Sequence, residues 1–69
     1  MRKYKSIDEF NIIGRGKVFT TESIDEGEGL LNSVVLIDGE EYFVRGVESM
    51  GKIKEGSPIG ILVRDKNIE

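Results

Sequence analysis

Residues 10–22 read FNIIGRGKVFTTE, and Gly14-Arg15-Gly16 is the group in this chain that most resembles a chemical site. Glycines beside a cation can cradle a phosphate. A phosphate loop, however, needs GxxxxGK[ST] between a strand and a helix, so that backbone N–H groups and a helix N-terminus surround the anion. GRGKVFTTE has neither the spacing nor a following helical pattern. The two glycines instead flank a bend between two β-patterned runs, and no bound nucleotide is expected.

Other catalytic groups are scarce. Histidine and cysteine are absent, which removes Ser–His and Cys–His nucleophiles and both imidazole and thiolate metal ligands. Ser49 and Ser57 have no pattern that places them beside Lys52. Residues 25–29, DEGEG, hold carboxylates in a loop without the spaced ligands of a calcium site. Glu40 and Glu41 are adjacent, and adjacent strand residues point to opposite faces, so they cannot share an acid/base site. The chain is therefore expected to be no enzyme and to carry no metal or cofactor.

The elements that must position these residues are strands. Residues 7–14 carry Phe10, Ile12 and Ile13. Residues 17–23 alternate, with Val18 and Thr20 on one face and Phe19 and Thr21 on the other. Residues 33–37, SVVLI, are apolar after Ser33 and rich in β-branched side chains, as in a strand buried on both faces. Asp38-Gly39 is the strongest hairpin signal, since a type I′ turn needs positive φ at both central residues. Residues 41–48 return, and Pro58 opens a last strand over 58–65, where its missing N–H is tolerated. Glycines at 46 and 60 fit tight bends. Short strands bounded by turn residues predict an all-β fold, a small closed six-stranded β-barrel, as one domain over 1–69 with 1–5 and 66–69 as free ends.

A chain of 69 residues supports only a small core, with a net stability of about 3–5 kcal/mol. Its formal charge of −3 argues against non-specific coating of nucleic acid, which needs a Lys/Arg excess. The charge is uneven. Arg2, Lys3, Lys5, Arg15 and Lys17 make the first twenty residues basic, whereas residues 21–41 hold seven acids and no base. The basic end offers a contact for RNA; the acidic middle faces solvent or a basic partner. No run reaches membrane-spanning length, and Asp8, Glu9 and Asn11 interrupt the apolar stretch a signal peptide would need. A cytoplasmic, membrane-free protein is expected.

Two blocks resemble a known family. Phe10, Ile12, Gly14, Arg15, Gly16, Val18 and Thr20 fall in register with F-x-I-x-G-R/K-G-x-V-x-T-G, the opening of the second domain of elongation factor Tu and related translational GTPases. EGSPIGILVRD is similar to that domain's closing strand, A-G-x-x-V-G-L-L-L-R-G, through Gly56, Gly60, Leu62 and Arg64. Gly46 to Glu48 resembles the run before it. The resemblance implies a six-stranded barrel of the translation-factor second-domain type, standing without the family's GTPase domain. Thr21 replaces the family's glycine after Thr20, and residues 22–31 depart from its pattern.

In that family the barrel helps hold the aminoacylated adenosine at a tRNA acceptor end. By position, Glu48 and Leu62 match residues of that pocket, while Pro58 stands in place of an asparagine and the shorter loop after Glu48 lacks the pocket's arginine. The expected function is a stand-alone, non-catalytic interaction module that docks on a protein partner. The alternative is weak binding of RNA or a tRNA acceptor end. Arg15, Lys17, Glu48, Leu62 and Arg64 are the candidate contacts for either.

Overall fold

Apolar residues two apart turn one face of most strands toward a common core. The computed structural model describes residues 1–14 and 16–65. It contains β1 (Lys3–Tyr4), β2 (Ser6–Ile12), β3 (Gly16–Glu22), β4 (Val34–Ile37), β5 (Glu40–Ser49) and β6 (Pro58–Asp65), with no helix among the described residues. Asp38 and Gly39 have φ of 53° and 85°, the two positive angles of a type I′ turn joining β4 to β5.

All six strands form one sheet in the order β1-β4-β5-β6-β3-β2, antiparallel except for the β1–β4 pair. Consecutive strands β1 and β2 therefore occupy opposite edges. Five strand spacings in a flat sheet would separate them by about 24 Å, yet Lys5 alone joins them and spans about 7.6 Å at most between Cα atoms. The sheet must curl until its edges approach each other. It does not close, and in this the expected closed barrel is corrected: no ladder joins β1 to β2. The reason lies in the connection: Lys5 alone is too short for a hairpin or a crossover, so the chain runs on from β1 into β2 and the two cannot lie side by side.

Side chains stitch this seam. The Ser6 backbone N–H donates to Asp38 Oδ1 at 2.9 Å, and the Ser6 hydroxyl donates to Oδ2. Nearby, Arg2 Nε donates to Asp25 Oδ2 at 2.8 Å and its Nη2 to the Glu28 carbonyl. Asp25 Oδ1 also accepts the Gly27 N–H at 2.7 Å. The N-terminus is thus not a free end as expected: Tyr4 is buried, and Arg2 ties the acidic loop down. Residues 66–69 lie outside the described residues.

These bonds depress two carboxyls. The Ser6 hydroxyl and N–H hold Asp38 below its usual range, and Arg2 followed by the Gly27 N–H does the same for Asp25. A carboxyl that titrates lower in the folded chain favours folding fully above the ordinary Asp value of about 3.9 and loses that contribution as pH falls through its depressed folded value. Melting temperature is expected to fall along an acid limb below about pH 4. In an Asp25→Asn/Asp38→Asn double variant the limb should be shallower and the neutral-pH melting temperature lower. An unchanged limb in calorimetry between pH 2 and 6 would show that these bonds do not form in solution.

The core holds Tyr4, Phe19, Leu30, Val35, Ile37, Val44, Ile59, Ile61 and Val63, with Tyr42, Val47 and Ile53 packed against it. Phe19 and Tyr42 meet as a tilted ring pair, centroids 5.1 Å apart. β4 alternates rather than being buried on both faces as its composition suggests: Val35 and Ile37 point inward, while Val34 is exposed. The buried Tyr4 hydroxyl and Thr21 Oγ1 find no hydrogen-bond partner among the described residues, and burial pushes the Tyr4 phenol up.

Candidate functional site: an outward groove across four strands

The hairpin register decides what the outside of the sheet carries. A three-residue loop sets Ile12 opposite Gly16, so Phe10 stands opposite Val18 and Asp8 opposite Thr20. Val18 pairs onward with Leu62, and Leu62 with Gly46; Thr20 pairs with Gly60, and Gly60 with Glu48. Because Phe19, Ile61 and Val63 take the inner face, both rows lie on the outer one. One row reads Phe10–Val18–Leu62–Gly46. Its neighbour reads Asp8–Thr20–Gly60–Glu48, an acid at each end.

β2 is therefore inverted relative to the expectation that apolar residues face the core. Phe10 and Ile12 point outward and are 52% and 42% exposed, while Glu9 and Asn11 lie on the core side. Every residue of β2 after Ser6 is exposed. Phe10, Ile12, Val18 and Leu62, with Glu48 and the fully exposed Met50, line a groove of about 510 Å³. Gly60 keeps its floor low, and Gly46 lies beside the groove against Leu62. A Cβ at Gly60 would meet Val18 Cγ1 at 3.7 Å, and one at Gly46 would meet Leu62 Cδ2 at 3.5 Å, both ordinary contacts.

A bulge aims Glu48 into this groove. Val44 pairs with Val63 and Gly46 with Leu62, which leaves Arg45 as an extra residue in β5. In a regular strand Glu48 would share a face with the buried Val44. After the bulge it is Val47 that turns inward, opposite Ile61, and Glu48 turns out.

Of the candidate contacts, Glu48 and Leu62 are thus brought together. Lys17 is not with them: it lies in the inner-face row of Val63, its Nζ 3.3 Å from Glu9 Oε2 and 5.5 Å from the Phe19 ring centroid. Arg64 is exposed on β6 opposite Phe43 and does not line the groove. Arg15 lies outside the described residues. The other N-terminal cations are elsewhere too, Lys3 and Lys5 around a second groove of about 490 Å³ that also holds Glu22, and Arg2 on Asp25. The sequence reasoning missed Phe10, Ile12, Val18 and Met50 as site residues. The signal for Phe10 and Ile12 is the phase relation between β2 and β3.

Among the described residues no group of three or more acidic, histidine or cysteine side chains could hold a metal ion, and no helix is long and apolar enough to cross a membrane. What the groove can do chemically is bury apolar surface beside a carboxylate. No protein-family model, curated protein or solved structure matches the chain, so the meaning of this groove rests on its own residues.

Proposed function

We propose that this chain is a non-catalytic β interaction module, of the translation-factor second-domain type its two sequence blocks resemble, and that its outward groove docks on a protein partner. The observation that carries this is the inversion of β2. A chain with a small core places Phe10 and Ile12 in water on a strand whose opposite face carries Glu9 and Asn11. Large apolar side chains gathered in one exposed patch mark interaction surfaces, and covering them recovers about 25 cal/mol for each Å² removed from water.

RNA is the second reading, because Glu48 and Leu62 share the groove as an acceptor-end pocket would require. Charge favours protein. Among the described residues the groove lining contains no cation, and its one charged residue is an acid, whereas affinity for RNA draws on neutralised phosphates.

The test is a crosslinked pull-down with wild type and Phe10→Glu, each with and without nuclease, after circular dichroism has confirmed that the variant folds. A protein partner should survive nuclease and fall by about tenfold or more in the variant, since placing a charge against an apolar contact forfeits its burial. Recovered RNA that vanishes with nuclease would transfer the groove to the second reading. No partner for wild type, or capture indifferent to Phe10→Glu, would sink the docking proposal.

A further inference from the structure

The two edges of the sheet are guarded differently. β1 is two residues long, contains Lys3 and is followed by Lys5, the short, lysine-bearing kind of edge that resists pairing with another chain. β2 is seven residues long with no lysine or proline, and among the described residues no strand lies on its far side. The register shift between Ser6 and Asp8 disturbs only its start, leaving residues 8–12 paired without interruption to β3. Asp8, Phe10 and Ile12 stand in line on the outer face. Glu9 and Asn11 stand on the other, with Glu9 already engaged by Lys17.

We infer that β2 accepts an extended protein segment as a further antiparallel strand, reading apolar-x-apolar-x-Lys/Arg, with the apolar side chains beside Ile12 and Phe10 and the cation beside Asp8. This rests on the docking proposed above and names the chemistry of the partner. Backbone groups along the open edge supply affinity, and alternate side chains over the outer face supply specificity, as in other strand-addition complexes. The x positions fall next to Glu9 and Asn11 and are polar.

Charge selects this occupant over the others. The chain is acidic overall, at −3, and on this face Asp8 and Glu48 close the two ends of one cross-strand row. A second copy of β2 paired antiparallel over the same five residues would set Asp8 against Ile12 and Glu9 against Asn11, giving neither acid the opposite charge that a basic segment supplies. An RNA backbone would meet the same acids.

The probe is a fluorescein-labelled, acetylated peptide Ser-Leu-Thr-Val-Thr-Lys-Ser-amide, titrated with the full chain and read by fluorescence anisotropy. Two versions N-methylated on alternate residues block one or the other of its edges. A strand adds through one edge only, so one version should lose binding about tenfold or more, the scale of a lost main-chain hydrogen bond or two, while the other retains it. Replacing the peptide lysine with glutamate should weaken binding, and Asp8→Lys should restore affinity for that glutamate peptide. Equal binding of the two N-methylated versions, indifference to the lysine, or a concentration-dependent dimer of the chain that excludes the peptide would each overturn the inference. So would single-stranded RNA that displaces the peptide at equal concentration. If the peptide fails while a protein partner is still captured in a Phe10-dependent way, strand addition falls and docking stands. If capture fails as well, both fall.

Discussion

Ile61→Ala should leave this chain largely unfolded at 25 °C. β6 lies between β5 and β3, and Ile61 is its central inward residue, fully buried and opposite Phe19 on one side and Val47 on the other. Cutting isoleucine to alanine in a packed core costs about 2–5 kcal/mol, because the lost transfer free energy is joined by a cavity the neighbours only partly fill. A single core in a chain this short supplies about 3–5 kcal/mol in total, so one side chain accounts for most of the margin. The neighbouring substitution Leu62→Ala is the control. Leu62 is half-buried on the outer face over Gly46, and its loss should cost no more than about 1 kcal/mol. Urea unfolding followed by circular dichroism separates the two. A cooperative transition for Ile61→Ala close to that of wild type would mean that β6 is not the spine of the core.

That contrast also makes the groove testable apart from the fold. Leu62→Ala should remain folded yet weaken capture of a partner, whereas Ile61→Ala should lose capture only because the sheet is lost. Substitutions on the two faces of one strand, one residue apart, thus distinguish binding from stability.

Period-two alternation was enough to pair Val18 with Thr20 and Phe19 with Thr21, and Asp38-Gly39 announced its own turn through a backbone requirement that few residues meet. Both are local properties of the chain. Which face of a strand meets the core is not local. In the last four residues of β2, Phe10 and Ile12 form one phase and Glu9 and Asn11 the other, a pattern that on its own sends Phe10 and Ile12 inward. The loop overrides it: with Ile12 held opposite Gly16, β2 inherits the facing of β3, and a loop one residue longer or shorter would reverse every side chain.

The facing of Glu48 escapes period-two reading for a similar reason. Its direction depends on the extra residue at Arg45, and the sole hint of a bulge is the glycine after it. Leu30 lies in no strand and is nonetheless buried, where the acidic loop held by Arg2 and Asp25 folds back over the core. The family resemblance did bring Glu48 and Leu62 forward as neighbours. It could not show that Lys17 turns to the opposite face and pairs with Glu9. The open seam between β1 and β2 is hidden because Lys3–Tyr4 is too short to announce a strand by periodicity.

The Gly-Arg-Gly bend makes the second large effect. Gly16→Ala should destabilise the chain by several kcal/mol and abolish cooperative folding, while Gly14→Ala should cost only about 1–2 kcal/mol. Both glycines have positive φ, 80° at Gly14 and 114° at Gly16, so a side chain strains the backbone at either. Their surroundings differ. A Cβ at Gly14 would have no heavy atom within 4 Å, whereas one at Gly16 would lie 2.9 Å from the carbonyl oxygen of Val63. That oxygen belongs to the backbone of β6, the strand that carries Ile61, and it cannot move aside as the tip of a flexible side chain would. The second glycine therefore exists for close approach: β3 begins against β6 at a distance that leaves no space for a methyl group, and the register that turns Phe10 and Ile12 outward is fixed at the same residue. Thermal unfolding of the two variants in parallel isolates that contact, because conformational strain is common to both. If the two lose equal stability, the approach of Gly16 to Val63 is looser than 2.9 Å and the bend serves only to reverse the chain. If Gly16→Ala alone collapses the fold, Gly16 acts by admitting a neighbouring strand and Gly14 by reversing the chain, with no anion needed to explain either.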